Sequence, residues 1–401
     1  MVFSADPAPR ARAMDPTVPF SVPFEVDARD GRLWIRPEWA TNATADELLL
    51  KGASWFGAQS GFKCVMQLNL FPAQDYLNFL QQHNFNAVRL PVSAIHVIQD
   101  ATLVDACGEY SGKSHLEALD DLVRRLGEIG VFVMLDMHTL SAPEGNDALW
   151  CAQPGEDGCG PGVDTGNSSV YLPATEQPIL TAWGKLARLL CRRQNVIMAD
   201  VFNEPHGASW GDGRYGFDWR LAATRIGNSI LGICPRWLIA VQGIQNTPSC
   251  REASGSACWW GENLLGMLYR PIELALPNRL VLSPHLYGHG TQNYMWAPNF
   301  PHNMPAVWDA LWGSLPEATG APIVIGEWGG LWTETLLWNL MRPATGAWQT
   351  ELHQYLTQHR FSYFYWCLND NSYRTGGLFA AVNAPKWEML STSLVTPIVQ
   401  L

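Results

Sequence analysis

The sequence predicts an α/β protein, a (β/α)8 barrel (TIM barrel) with a small N-terminal β-hairpin cap. Three observations lead to it. Short, almost wholly apolar runs recur along the 401 residues and alternate with amphipathic stretches, the pattern of strands buried on both faces beneath a layer of helices. Eight such units can be counted, the number that closes a parallel barrel. Each run ends in polar or ionisable residues, and long loops follow, where a barrel carries its site. A doubly wound open sheet is the alternative. It would set a Gly-rich phosphate loop after an early strand, but no G-x-x-x-x-G-K occurs and no G-x-G-x-x-G follows an early strand.

Residues 1–23 are rich in Pro and Ala and read as a flexible leader. Residues 24–401 read as one domain, because no linker and no second composition regime interrupts them. Alternating apolar positions from Phe24 to Ile35 around Asp30-Gly31 predict the hairpin, with Asp-Gly as its turn. The first barrel strand is expected near Leu48–Ala53, followed by a helix over 71–83. Asn86–Pro91 is the second strand, ended by its proline. Ser114-His115-Leu116-Glu117 has capping-box spacing and opens a helix carrying Leu116, Leu119, Leu122, Val123, Leu126 and Ile129 on one face. Val131–Asp136 is the third strand, and after a loop to about Pro173 a helix to Arg193 leads into the fourth, Val196–Phe202. The second half repeats the rhythm. Strands at Trp237–Val241, Leu280–Ser283, Ile323–Gly326 and Phe361–Trp366 are separated by helices near 219–233, 306–315 and 346–359, with a last helix near 387–390.

A net charge of −11 and a pI near 5.4 argue against nucleic acid or an anionic membrane as partner, since both need a basic face. No stretch has the apolar length to span a bilayer. Nine cysteines suggest an oxidising compartment. Cys151 with Cys159 bracket a Gly/Pro/Asp loop and Cys250 with Cys258 a Ser/Gly/Ala loop, and both pairs are expected as disulfides rather than zinc ligands, having no C-x-x-C spacing. Cys64 with Cys107 and Cys191 with Cys234 are longer-range candidates, which leaves Cys367 as the odd thiol. Sequons at Asn42 and Asn167 agree with secretion and glycosylation. Residues 1–20 carry Asp6, Arg10, Arg12 and Asp15 and do not resemble a signal peptide.

The strand ends hold the chemistry. They carry Arg89, Asp136 with His138, Asn203 with Glu204, His285 with Tyr287, Glu327 and Trp366. Any one of these alone is more readily a structural group; six strand ends carrying them together point to a site. Glutamates closing the fourth and seventh strands face one another across a barrel mouth. One acid to protonate a leaving oxygen and a second carboxylate roughly 5 Å away are what retaining glycoside hydrolysis needs. Arg89 and Tyr287 could keep Glu327 ionised, while His285 or His138 could tune Glu204. Asn203 could hold a sugar hydroxyl and Trp366 could stack beneath a ring. No metal and no cofactor is expected, since His138, His206, His285 and His289 form no helical H-x-x-x-H pair.

The ordered set Arg89-Leu90-Pro91, Asp136-Met137-His138, Phe202-Asn203-Glu204-Pro205, His285-Leu286-Tyr287, Gly326-Glu327-Trp328-Gly329 and Tyr365-Trp366 resembles glycoside hydrolase family 5 from about Lys51 to Trp366. Lys51-Gly52-Ala53-Ser54-Trp55-Phe56-Gly57 is similar to the first-strand segment of its bacterial-type endo-β-1,4-glucanases, and Gly-Glu-Trp-Gly stands where Gly-Glu-Phe-Gly is frequent. The resemblance implies Glu204 as acid/base and Glu327 as nucleophile, supported by Arg89, His138, Asn203, His285, Tyr287 and Trp366. Loop tryptophans Trp55, Trp150, Trp210, Trp259, Trp260, Trp296, Trp328 and Trp332 are candidate sugar platforms, with packing inside the loop as the competing reading for each. The expectation is therefore a secreted, monomeric endo-β-1,4-glucanase acting on β-glucan polysaccharide or oligosaccharide. A β-mannanase, an exo-β-1,3-glucanase and a non-catalytic sugar-binding barrel are the alternatives.

Overall fold

The computed structural model describes residues 20, 22–40, 45–141, 147–151, 157–160, 175–245, 257–288, 293–332, 345–369, 375–379 and 384–396. The two sequons and most of the expected leader lie outside these residues. Phe20 is described, and its ring packs against Phe24 and Phe132.

The hairpin forms as expected. Strands β1 (Phe24–Arg29) and β2 (Arg32–Pro37) pair antiparallel across Asp30 and Gly31, both with positive φ (54° and 71°), the conformation a tight type I′ turn demands. A third short strand, β3 (Asp46–Glu47), adds to β2.

Nine parallel strands follow: β4 (Lys51–Ser54), β5 (Ala87–Ser93), β6 (Phe132–Thr139), β7 (Val196–Asp200), β8 (Leu238–Val241), β9 (Leu280–Leu282), β10 (His285–Tyr287), β11 (Val324–Gly329) and β12 (Ser362–Tyr365). Their order is β10-β11-β12-β4-β5-β6-β7-β8-β9. The two ends of that list are consecutive in the chain, parted only by Ser283-Pro284. They are therefore one strand interrupted by a proline, and the sheet closes on itself through it. A parallel bridge between Leu282 and Ile323 completes the ring. The eight predicted barrel strands are all present, the sixth in two pieces.

Pro91 does not end the second strand, which runs on to Ser93. Trp55 N–H donates to Arg89 O, so alternate residues of β5 from Arg89 onward face β4, which stops at Ser54. Pro91 thus sits where its missing N–H has no ladder partner to lose, while β5 continues to pair with β6. A helix not foreseen, Ala94–Gln99, follows at once. The capping box at Ser114 forms, with Glu117 N–H on Ser114 Oγ and Ser114 N–H on Glu117 Oε2.

Inside the barrel, side chains follow the strand period of two. Ala87, Phe132 and Met134, Met198, Leu238 and Ala240, Val281, Val324 and Phe364 fill its amino-terminal end. The hairpin's Phe24, Val26, Ala28, Leu33 and Ile35 close that end from below. Gly52 leaves room for one of them: a Cβ there would stand 2.3 Å from the Phe364 ring.

Cys64–Cys107, Cys151–Cys159 and Cys191–Cys234 are disulfides. Cys258 is also disulfide-bonded, and Cys250 lies outside the described residues. Cys367 is buried, and its thiol donates to Asn369 O. No described helix is long and apolar enough to cross a membrane.

Candidate active site

The period that lines the lower barrel with apolar groups delivers ionisable ones at the top. Two residues beyond Ala87 comes Arg89; beyond Met134, Asp136 and then His138; beyond Met198, Asp200; beyond Ala240, Gln242; beyond Val281, Ser283, His285 and Tyr287; beyond Phe364, Trp366. Glu327 is the exception to the count, three residues beyond the inward Val324. Pairing of β11 with β12 steps from Ile325↔Tyr363 to Trp328↔Tyr365, three residues against two. That bulge swings Glu327 into the barrel. Gly326 makes room for the bend, because a Cβ there would meet His285 Nε2 at 2.6 Å and Ser283 Oγ at 2.7 Å.

Arg89 is fully buried and organises the site. It bonds Glu327 Oε1 (2.5 Å), Asp136 Oδ2 (2.9 Å), Asp200 Oδ2 (3.0 Å) and Asn203 Oδ1 (3.0 Å). Burial works against its charge, but Asp136, Glu327 and Asp200 together raise its pKa. Tyr287 Oη donates to Glu327 Oε2 at 2.8 Å. His138 Nδ1 is 2.7 Å from Asp136 Oδ2, and its ring stacks on Trp366 (5.5 Å, 13°), which in turn stacks on Phe56.

Glu204 has different company. It lies just past β7 at φ 49°, its N–H donates to Gln242 Oε1 (2.8 Å), and its Oε1 stands 3.0 Å from His285 Nδ1. Gln242 Nε2 donates to Asp200 Oδ2, so one amide links Glu204's backbone to the Arg89 cluster. Burial, and then the charge of Glu327, push the Glu204 carboxyl well above the usual range. Burial raises Glu327 as well, but Arg89, His138 and the Tyr287 bond all oppose it. Burial also drives His285 well below its ordinary value, so it is neutral, and drives the Tyr287 phenol up, so it keeps its proton. Asp136 and Asp200 are each pushed up to about 7 by burial, against the pull of Arg89.

Ligand atoms of Glu204, His285 and Glu327 all lie within 4.8 Å of one another. That places the two carboxylates at the short separation of retaining glycosidases, about 5 Å. The same trio is the one group of three metal-capable side chains among the described residues. Donors from Arg89 and Tyr287 already occupy both Glu327 oxygens, which balances its charge without an ion. His285 and His289 stand four apart in sequence, but His285 lies at the start of β10 rather than on a helix, and His289 is outside the described residues. The G-x-G-x-x-G run at Gly211–Gly216 sends its Gly211 and Gly213 amides to the Asp218 carboxylate, and so serves to brace a loop.

Three expected platforms do not reach the mouth. Trp55, Trp150 and Trp328 are wholly buried. Trp55 is out of phase with the inward positions and packs on Tyr76 of the helix layer; Trp328 packs between Tyr363, Tyr365 and His353; Trp150 packs on Trp219 and donates to Glu176. An indole enclosed on both faces has none to offer a sugar. Trp210, Trp259, Trp260, Trp332 and Trp366 are half-buried and Trp296 is 46% exposed. Asp200 and Gln242 are absent from the sequence-predicted constellation, and Asp136 stands in it at its strand end without a role. Asp200 broke an otherwise apolar strand, and Gln242 follows the end of β8 directly, so both carried a signal.

Two facing carboxylates at the mouth of a (β/α)8 barrel, one bound to a guanidinium and the other desolvated, define a glycoside hydrolase. The chain belongs to the cellulase family, glycosyl hydrolase family 5, whose family model matches residues 42–372. It is 33% identical to an endoglucanase of Paenibacillus polymyxa over 88% of this chain and 85% of that protein. It is also 33% identical to the major extracellular endoglucanase of Xanthomonas campestris pv. campestris, over 86% and 67% of the two. A cellotetraose complex of an endocellulase from Pyrococcus horikoshii superposes with a TM-score of 0.77 at 27% identity, covering 92% and 98% of the chains.

Proposed function

We propose that this enzyme is a retaining endo-β-1,4-glucanase in which Glu327 is the nucleophile and Glu204 the acid/base. The observation that carries the assignment is the asymmetry of the two carboxylates. Glu327 receives Arg89 and Tyr287, groups that favour a charged oxygen. Among the described residues the Glu204 carboxylate meets only the neutral His285, and its proton is held more tightly.

In the first step a Glu327 oxygen attacks the anomeric carbon as the glycosidic C–O bond breaks. Glu204 gives its proton to the departing oxygen, leaving a glycosyl ester on Glu327. Loss of that proton makes Glu204 a carboxylate, which takes a proton from water as the water oxygen displaces Glu327. Two inversions return the original configuration. Arg89 positions and charges Glu327, Asn203 lies where a sugar hydroxyl can reach it, and the half-buried Trp366 ring, which stacks with His138 and Phe56, is the aromatic surface assigned to the sugar under attack.

The β-1,4-glucan substrate is supported by the named relatives and by the cellotetraose bound to the Pyrococcus protein. Secretion is supported by the disulfides and by the extracellular Xanthomonas relative; action as a monomer is the simplest reading, to be checked by sedimentation. The deciding experiment measures reducing ends and viscosity on carboxymethylcellulose, mannan and laminarin. A fast viscosity drop on carboxymethylcellulose is expected. Activity confined to mannan or laminarin would overturn the substrate assignment.

A further inference from the structure

Two residues after Glu204, the His206 ring lies flat on Trp260, with centroids 3.9 Å apart and planes within 11°. Its orientation is fixed from the other side as well. His206 Nδ1 lies 2.9 Å from Glu204 O and His206 N–H donates to the same carbonyl, and since a carbonyl only accepts, the imidazole carries its proton on Nδ1. Trp260 is tied to Glu204 by a second route. Its neighbour Gly261 (φ 79°) is packed so closely that a Cβ would stand 3.0 Å from Gln242 Oε1 and 3.2 Å from His285 Cβ, the two side chains that hold Glu204. Trp260 is half-buried, so with His206 stacked on it part of the ring stays open to solvent.

The topology says which part of a substrate would meet it. Trp366 follows β12, and its stack with His138 marks the side that holds the sugar under attack. His206 follows β7 and Trp260 follows β8, across the ring from β12. A chain lying over Trp366 and passing Glu204 must therefore continue past Trp260 with its leaving portion.

We propose that His206 is a positioning residue, which holds Trp260 as the contact for the leaving-group portion of the glucan and registers that contact to Glu204 through the Glu204 carbonyl. This rests on the glucanase reading above. Its consequence is specific: loss of the imidazole should weaken cleavage where the leaving group is a sugar more than where it is not.

The test compares cellotetraose with 2,4-dinitrophenyl β-cellobioside, which share a cellobiosyl donor and differ in what departs. In H206A the ratio of their kcat/KM values is expected to fall about tenfold, mainly through KM for cellotetraose. H206F keeps a flat ring against Trp260 but loses the Nδ1–H bond, and should recover part of the ratio. W260A should lower the ratio as far as H206A, with the double variant no lower than either, because one contact is removed in each. A ratio is unmoved by general damage to the fold, so a ratio unchanged in H206A, or additive losses in the double variant, would overturn the positioning role. Wild-type protein that cleaves neither substrate would instead overturn the glucanase reading.

Discussion

The two ends of the barrel are built by the same strands and the same alternation, yet they do opposite things. At the amino-terminal end the inward positions are Ala87, Phe132, Met134, Met198, Leu238, Val281 and Phe364, sealed by Phe24, Val26 and Ile35 of the hairpin. Two residues further along β5, β6 and β7, and four further along the fifth and sixth barrel strands, the inward positions become Arg89, Asp136, Asp200, Gln242 and His285, all buried. The lower end gains free energy from each apolar side chain it removes from water, about 1.5–3 kcal/mol for a large one. The upper end loses free energy by burying Asp136 and Asp200, and recovers it only through Arg89 and its partners. Stability is concentrated at one end so that charge can be held out of water at the other.

The sharpest way to separate the two ends is to remove charge from the upper one. E327Q should lower hydrolysis of an aryl β-cellobioside about ten-thousandfold, equivalent to ~5.5 kcal/mol in the barrier, while the melting temperature holds or rises because a buried charge is gone. Unchanged hydrolysis would show that another group is the nucleophile.

R89M should break the upper end itself. With the guanidinium gone, Asp136, Asp200 and Glu327 are left buried without their cation, and unfolding should become easier by about 3–5 kcal/mol. Denaturant melts would check this. If R89M is as stable as wild type, the arginine does not hold the cluster.

I35A tests the lower end. Ile35 is fully buried in the hairpin plug, and its truncation should cost about 3 kcal/mol by denaturant unfolding while leaving the pH–rate profile of the folded enzyme in place. A shifted profile would mean that the two ends are coupled. E204A is the complementary change: the alkaline limb should disappear, because the proton lost there belongs to a carboxyl raised by burial.

The effect that is smallest per step of the variable concerns acid. Burial, opposed only by its bond to Ala58 O, lowers His96 to about 4. As pH falls below the ordinary histidine value near 6.5, the unfolded chain takes up this proton and the folded protein does not. Stability should therefore decline between about pH 6.5 and 4, by up to ~1.4 kcal/mol per pH unit for one such group. H96N should flatten that slope in thermal melts; an unchanged slope would assign the acid sensitivity elsewhere, with His353, also held at about 4 by burial, as the next group to replace.

Much of this was legible in the residues themselves. Apolar runs ending in charge located the strands and brought Arg89, Glu204, His285, Tyr287 and Glu327 to one face, because side-chain period and strand direction are local properties. The hairpin turn at Asp30-Gly31 and the Ser114 capping box were equally local. Composition could not tell which tryptophans face the mouth. Trp55 and Trp328 stand beside site residues in sequence, but a one-residue offset in a strand reverses the face, and both turn into the helix layer. Only the tertiary structure decided that a bulge in β11 carries Glu327 inward, that Pro284 splits the sixth strand where the barrel closes, and that Gln242 joins Glu204 to the Arg89 cluster. Each of these depends on what a neighbouring strand presents, which a single stretch of chain does not contain. That Glu204 and Glu327 are both glutamates was plain from the sequence; that one lies against a guanidinium and the other does not is a fact of the folded barrel.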